Sequence, residues 1–467
     1  GDLKTALSDG VCHIYATASA FAALKVDGSL HTWGNVHTGG DSSSVSTHLK
    51  DGVRQVFSTA GAFAALKSDG SVHVWGGPSM GGDCGCVSVE LESGVVHVYS
   101  TQHNSMAIWG RHGESCLVWN TGAFAALKRD GSVHTWGDAM HGGTSSVVKD
   151  ELVKGIKSVC STSGAFAAVN CDGAVCTWGH PKLGGDNSDV KANLSSCVSN
   201  IYSSSKAFAA VKRDGSVVTW GHAQFGGDSQ AVELELSSGV DIIFSNEWSF
   251  AAVKTDGSVV TWGDREKGGD STSVKEHLQG GVTQICSTAR AFAALKHDGS
   301  VITWGDKSAG GDSSIVKDQL SKDVLSVHST SLAFAAIKAD GSVHVWGNSA
   351  GGGGIFMALA GPGGKPMNLF QGLQPNVAST RGSTFDLPGA SHVGNMFSGT
   401  SVAGSGGVFG GAPSTLFGKT SPALGVSGLS DPPAKSDSIF GGNGALLGGL
   451  AATSSGPSLF GAPPSGA

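Results

Sequence analysis

The chain has 467 residues, 73 of which are glycine, and its formal net charge is −7. So much glycine requires many tight turns or low-complexity sequence, and the length has room for two or three ordinary domains or for one long array. Nucleic-acid-binding domains usually carry a surplus of Lys and Arg, so the acidic balance argues against such a partner. No apolar run reaches the roughly 18 residues of a membrane-spanning helix, so no span is expected.

One string returns eight times along the chain, F-A-A-[LVI]-x-x-D-G-[SA]-[VL]-x-[TV]-W-G. Its copies are 42 residues apart, except that the third follows the second by 61, which places 19 additional residues in one unit. A fixed period of about 20–50 residues is typical of solenoids, propellers and other arrays. We therefore assign 1–347 to a repeat array and interpret its recurring tryptophans as structural anchors between units: Trp33, Trp75, Trp136, Trp178, Trp220, Trp262, Trp304 and Trp346.

The stretch at 264–305 shows what one unit should contain. Gly-Gly-Asp at 268–270 indicates a loop, and the apolar pair Val274 and Leu278 behind it favours one or two capped helical turns. Gly281 then ends the helix, because a left-handed residue often stands at that point. One short helix per unit is the prediction.

Three short β-rich runs follow that helix. The Asp298-Gly299 pair predicts a tight hairpin, because glycine accepts the positive φ that such turns need. Phe-Ala-Ala is apolar on both faces, which is typical of a strand that neighbouring units cover on both sides. The sequence thus predicts an all-β, β-propeller-like array of about eight three-stranded units, closed into a ring or left as an open superhelix. In this unit the predicted strands cover 282–287, 292–296 and 301–304.

The recurring Gly-Gly-Asp motif allows two interpretations. An aspartate ahead of a helical turn caps its free N–H groups, which explains the motif simply. Calcium binding is the alternative, but glycine-rich calcium repeats have a period of about nine residues. We therefore expect neither a metal nor a cofactor. The aspartates concerned are Asp41, Asp83, Asp186, Asp228, Asp270 and Asp312.

Positions that differ between units are the candidates for binding within the array, because contacts concentrate on the loops of a rigid scaffold. The four residues after each Trp-Gly vary, and so does the residue before each Asp-Gly. The other explanation of this variation is sequence drift in solvent-exposed loops that bind nothing. The first set includes 35–38, 180–183, 222–225 and 264–267, and the second includes Arg129, Cys171, Arg213, Thr255 and His297.

The third unit contains an irregular stretch at 102–120. Within it, His112-Gly113 stands where a hairpin of diverged sequence would have its Asp-Gly turn. The stretch is either a decayed half-blade or an insertion that makes contacts, and the sequence leaves both open. The chain also begins at Gly1 in mid-repeat, as a fragment would.

Catalysis has no support in the motifs. The nucleophile elbow, the P-loop, the H-E-x-x-H motif and the dinucleotide fingerprint are missing, so we expect a protein that is not an enzyme.

Nine cysteines without paired spacing fit a reducing compartment. Cys160 and Cys286 occupy a slot that is aromatic in other units. Four histidines stand at a repeat position that is Val or Ile in other units, so we interpret them as structural: His31, His73, His134 and His344.

The repeat string resembles that of the regulator of chromosome condensation family, whose blades carry an A-L-x-x-D-G-x-V-x-x-W-G core. The resemblance covers about 1–347 and implies a propeller. This sequence departs from the family pattern after Trp-Gly, where Gly-Gly-Asp replaces the usual G-Q-L-G. The family's founding member exchanges nucleotide on the GTPase Ran, but no residue here can be matched to that activity.

The remainder, 348–467, is rich in Gly, Ser, Pro and Ala and lacks apolar periodicity. Such sequence buries too little apolar surface to offset the entropy of ordering, so we expect disorder. It resembles the phenylalanine–glycine domain of nucleoporins, in which phenylalanines insert into pockets of transport receptors. A linker with chance Phe-Gly pairs is the alternative. The receptor-binding candidates are Phe409, Phe417, Phe440 and Phe460, with looser copies at Phe370 and Phe397.

Two function classes follow from these features. The first is a non-enzymatic scaffold of the nuclear pore or of nuclear transport, located at the pore or in the nucleus, whose tail engages transport receptors or other nucleoporins. The second is a propeller that regulates a small GTPase or binds substrates for a ubiquitin ligase, in the nucleus or the cytoplasm. Only the first explains the four Phe-Gly motifs.

Overall fold

The computed structural model describes residues 3–101 and 122–354. The irregular stretch at 102–120 and nearly all of the predicted tail, including the six phenylalanines proposed to bind receptors, lie outside these residues. Within them the fold is an array of eight three-stranded antiparallel sheets, each formed by strands consecutive in the chain. We number the units 1 to 8 in chain order and count the helical turns after each third strand with that unit.

The strands recur at equivalent positions in all eight units. The first strands are Val11–Ala16, Val53–Ser58, Val95–Ser100, Ile156–Ser161, Val198–Ser203, Val240–Ser245, Val282–Ser287 and Val324–Ser329. The second strands are Ala20–Lys25, Ala62–Lys67, Ala123–Lys128, Ala165–Asn170, Ala207–Lys212, Ser249–Lys254, Ala291–Lys296 and Ala333–Lys338. The third strands are Leu30–Gly34, Val72–Gly76, Val133–Gly137, Val175–Gly179, Val217–Gly221, Val259–Gly263, Val301–Gly305 and Val343–Gly347.

The helical segments differ from the prediction. Most units carry two short 3₁₀ turns after the third strand, where one helix was expected, since segments this short favour the tighter i→i+3 bond. The only α-helix described is Leu3–Ala6. The first turns are Val36–Thr38, Pro78–Met80, Ala139–His141, Pro181–Leu183, Ala223–Phe225, Arg265–Lys267, Lys307–Ala309 and Ser349–Gly351. The later turns are Ser43–Val45, Gly85–Val87, Glu90–Glu92, Ser146–Leu152, Ser188–Val190, Gln230–Val232, Thr272–Leu278 and Ser314–Val316.

The Asp-Gly turns join second and third strands as the sequence predicts. Gly299 has φ +77 and its N–H donates to the Lys296 carbonyl, while the Lys296 N–H donates to Ser300. These bonds form a tight hairpin turn that ends on a left-handed glycine. The Asp298 carboxylate accepts the Ser300 N–H at 2.9 Å and the Ser300 hydroxyl at 2.6 Å. These hydrogen bonds lower the pKa of Asp298.

The Gly-Gly-Asp aspartates start the later turns in the same way. Asp41 accepts the backbone N–H of Ser43 at 2.9 Å, and Asp312 accepts that of Ser314 at 2.9 Å. At Asp270 the bonds from Thr272 and from Arg265 lower the pKa to about 2. Each of these aspartates thus accepts a free N–H at the start of the turn, as predicted, but stands one residue before the N-cap position. In the described part of the chain, no group of three or more His, Cys, Asp or Glu side chains could hold a metal ion.

The core lies between units, as the two-sided apolar strands predict. Phe208 and Trp220 of unit 5 pack into one buried cluster with Val169 and Val175 of unit 4, and with Leu194 from the connection. On the other face of unit 5, Ala207, Ala209 and Val211 belong to the cluster shared with unit 6. Each sheet of units 2 to 7 is thus covered on both faces by its neighbours, and the sheets of units 1 and 8 on one face.

Polar bonds fix the spacing of successive units. The Trp220 indole N–H donates to the Gly184 carbonyl of unit 4 at 3.0 Å, and six other units repeat this bond. The Val240 N–H donates at 3.0 Å to Gly215 in the Asp-Gly turn of the preceding unit. No hydrogen bond or strand pair among the described residues joins unit 8 back to unit 1.

None of the helices in the described residues has the length and apolarity needed to cross a bilayer.

His97 makes stability depend on pH, as does His73, whose pKa burial also lowers to about 4. Burial, with the nearby Arg54 as a smaller cause, lowers the pKa of His97 from 6.5 to about 4, and its ring packs edge-on to Phe57 and Tyr99. As the pH falls, the unfolded chain binds the His97 proton before the folded chain does. The contribution of His97 to the free energy of unfolding is therefore present above pH 6.5 and lost as the pH falls to about 4. The loss amounts to about 3 kcal/mol at most.

Replacing His97 with isoleucine, the residue at the equivalent position Ile242 of unit 6, should therefore flatten the pH dependence of unfolding between those values. Urea midpoints of parent and variant across the window measure the effect. Parallel pH profiles for the two proteins would contradict it.

Candidate functional site

In seven of the eight units, a hydroxyl or amide side chain just after the first strand holds one edge of the sheet in place. Thr59 donates its hydroxyl to the Met80 carbonyl at 2.7 Å and accepts the Ala62 N–H at 3.1 Å. Asn246 does the same in unit 6, donating to Lys267 at 2.7 Å. This bond ties the loop between the first two strands to the 3₁₀ turn after the third strand. The two segments form a rigid edge, which we call the rim.

The rim has one loop position and one turn position per unit, and they alternate along the array. A Cβ added to Gly164, the loop position of unit 4, would lie 2.6 Å from His141 Cδ2 and 2.7 Å from Leu183 Cδ1. His141 and Leu183 are the turn positions of units 3 and 4. Each loop residue therefore stands between the turn residues of its own and the preceding unit.

Units 5 to 7 differ from units 2 to 4 at these positions. The loop position is glycine in units 2, 3 and 4 but holds large side chains in the next three units. Together with the turn residues between them they form one row of cations and aromatic rings. We call this row the rim ladder: Lys206, Phe225, Trp248, Lys267 and Arg290.

The rings of the rim ladder stack and carry cations on their faces. Phe225 and Trp248 have ring centroids 4.3 Å apart at an interplanar angle of 23°. The Lys206 ammonium lies 4.5 Å from the Phe225 centroid, and the Lys267 ammonium lies 3.5 Å from that of Trp248. Such contacts are worth about 0.5–1 kcal/mol when exposed and more when desolvated, so they hold the cations in fixed positions.

Carboxylates partly balance this charge. Lys267 Nζ lies 3.3 Å from Asp264 Oδ2, and Arg290 is 3.8 Å from the carboxylate of Asp306. Lys206 makes no ion pair among the described residues. Burial, and then the charges of Lys206 and Lys182, lower the pKa of His222, which packs edge-on to Phe225 at 5.0 Å.

Two polar groups beside the ladder lack partners. Trp248 Nε1 and His222 Nδ1 are buried with no hydrogen-bond partner among the described residues. Buried polar groups are nearly always satisfied, so exceptions point to a site where a further group completes the bonding. A rigid row of cations and rings with a spare indole donor is suited to contact an acidic or aromatic segment of another protein.

The structure separates the two variable sets that the sequence singled out. Residues after Trp-Gly lie on the rim and supply Phe225 and Lys267 to the ladder. Residues before Asp-Gly lie at the opposite edge of the sheets, where the Arg213 N–H donates to Cys197 of the connection. Sequence reasoning missed Lys206, Trp248 and Arg290. Their signal was a position that changes from glycine to a large side chain at fixed register.

The remaining sequence candidates have structural surroundings in the described residues. Seven repeat tryptophans are at most 4% exposed, whereas Trp33 of unit 1 is half-buried. Cys160 and Cys286 are buried, and burial raises the pKa of the Cys160 thiol to about 11. Neither thiol is therefore a ready nucleophile.

No protein-family model matches the chain, and no curated protein sequence does. Among solved structures it is similar to the computationally designed protein Ika8, at 14% identity and a TM-score of 0.29, over 72% of this chain and 96% of that one. It is also similar to Prp20p of Saccharomyces cerevisiae, at 14% identity and a TM-score of 0.31, over 64% and 73% of the two chains. Human WBSCR16 gives 16% identity and a TM-score of 0.30, over 65% and 78%. The fold assignment rests on this chain's own strand pairing.

Proposed function

We propose that the protein is a binding scaffold associated with nuclear transport, in which the tail at 348–467 engages transport receptors through its Phe-Gly motifs. The repeat array at 1–347 serves as the folded base. The observation that carries the proposal is the contrast between two kinds of phenylalanine in one chain.

The array uses its phenylalanines for its own packing. From unit 2 to unit 8 the Phe of each Phe-Ala-Ala is at most 2% exposed and stacks on the tryptophan of the same unit, as Phe208 does on Trp220 at 5.2 Å. The tail phenylalanines stand singly in polar, glycine-rich sequence without a repeat partner. An aromatic ring on such a chain is suited to weak, multivalent contact.

The rim ladder supports a second contact, made by the array itself. Its cations and rings lie on a rigid edge. Lys267 and Arg290 are paired with carboxylates, and Lys206 is the ladder cation suited to meet an acidic group of a protein surface. A propeller regulator of a small GTPase, or a substrate-binding module of a ubiquitin ligase, would use the array in this way. In our proposal the ladder positions a partner while the tail recruits receptors.

Replacing Phe409, Phe417, Phe440 and Phe460 together with serine should abolish capture of an importin-type receptor by the full chain. A single replacement should only weaken capture, because linked weak sites raise the apparent affinity by effective concentration. Pull-down with one purified receptor and titration of the complex measure both effects.

A variant with glycine at Lys206 and Trp248, as in unit 2, is the matched control. It alters the rim ladder and leaves the tail intact, so receptor capture should equal that of the parent. If the four-serine variant captures receptor as well as the parent does, the transport proposal is wrong and the propeller regulator takes its place.

A further inference from the structure

The outer face of unit 1 has the composition of an internal face, but no sheet of the described residues covers it. Ile14 in its first strand is 61% exposed, whereas the equivalent residue in each of the other seven units is at most 5% exposed. Those seven, Val56 among them, pack into the preceding unit. The outer face of unit 1 therefore presents the side chains that elsewhere fill an inter-unit core.

The aromatic pair of unit 1 is formed but lacks its acceptor. Phe21 and Trp33 stack with centroids 5.3 Å apart, as their equivalents do. The indole N–H of Trp33 makes no hydrogen bond among the described residues, whereas Trp75 of unit 2 donates to Gly39 of unit 1 at 3.0 Å. This face thus offers both a ring pair and a free donor.

Unit 8 presents the opposite half of the same interface. Val343 is 48% exposed, while its equivalent Leu30 is 6% exposed beneath unit 2. A Cβ on Gly310 would lie 2.6 Å from the Phe334 ring of the next unit, but one on Gly352 would meet nothing within 4 Å. Gly352 has φ +101, as this position has elsewhere, so the receiving backbone is already in place.

We propose that unit 1 of one molecule docks onto unit 8 of a second copy of this chain. Phe21 and Trp33 then lie against Gly352, the Trp33 indole donates to the Gly352 carbonyl, and Ile14 is buried near Val343. The seven internal interfaces show that such faces fit, and capping repeats of stable arrays have polar outer faces, which these two units lack. The contact is heterologous, so it forms rings if the rotation closes and open chains if it does not.

Sedimentation of the full chain over about a hundredfold concentration range should show assembly from monomer to higher mass. Ile14→Glu and Val343→Glu should each weaken assembly at least about tenfold, because each places a charge in an apolar interface. Both positions are exposed in the monomer, so folding should be retained. Leu234→Glu, at a position 87% exposed on an internal unit, is the matched control and should assemble as the parent does.

Mixing the two interface variants gives the decisive result. The Ile14→Glu protein retains an intact unit 8 and the Val343→Glu protein an intact unit 1, so an equimolar mixture should form one heterodimer and stop. A parent chain that stays monomeric at every concentration, whether by internal closure or because the tail covers unit 8, would overturn the proposal. Assembly of both variants at parental strength would overturn it equally.

Discussion

Replacing Trp220 with alanine should lower the free energy of unfolding by about 3–5 kcal/mol, as truncation of a large buried aromatic side chain does. Trp220 is 4% exposed in the cluster between units 4 and 5, and its indole N–H donates to Gly184 at 3.0 Å. The substitution therefore removes packing and leaves a buried carbonyl without its donor.

Trp33 provides the matched control for this effect. It keeps the stack on a phenylalanine of its own unit, at 5.3 Å against 5.2 Å for Trp220, but has no preceding unit among the described residues. Trp33→Ala should therefore cost much less, and the difference between the two variants isolates the inter-unit contribution. Similar urea midpoints for both variants would show that the tryptophans do not join units.

The Trp220 variant should also unfold less cooperatively. In a repeat array the stability is approximately a sum of unit terms and nearest-neighbour interface terms. Weakening the interface between units 4 and 5 allows the two halves to unfold separately. Circular dichroism and tryptophan fluorescence should then give transitions that no longer coincide.

Local chemistry made the strands predictable. The run at 282–287 matches the strand Val282–Ser287, and the other two strands of that unit differ from prediction by one residue each. Asp298-Gly299 was predictable because the turn depends on residues adjacent in sequence. The short helical segment was predicted at the right place, at Thr272–Leu278 in this unit, but the second turn directly after Trp-Gly was not predicted. That turn is held by bonds to the loop between the first two strands, which is distant in sequence.

The rim ladder could not be predicted from local pattern. Phe225 and Trp248 are 23 residues apart and belong to different units, so their stacking depends on how one sheet is placed on the next. The uncovered end faces were equally hidden. Ile14 and Val56 occupy the same repeat position, and only the neighbour that covers Val56 distinguishes them.

Replacing Gly184 with alanine should destabilise the array far more than the same change at Gly352. Both glycines have strongly positive φ, +99 and +101, so each alanine meets a similar backbone penalty of about 1–2 kcal/mol. At Gly184 the new Cβ would also lie 2.5 Å from the Phe208 ring, whereas at Gly352 it meets no atom within 4 Å. The clash adds about 1–3 kcal/mol, because Phe208 is fully buried and cannot move aside.

The comparison between these two glycines separates conformation from packing. Urea unfolding of the monomer at low concentration should place Gly184→Ala well below the parent and Gly352→Ala only slightly below it. Equal losses in the free energy of unfolding at both positions would mean that positive φ alone requires glycine. The phenylalanine ring of the next unit would then add no steric requirement. At high concentration Gly352→Ala should in addition weaken self-assembly, because its methyl group would then occupy the space that a second copy's Phe21 needs.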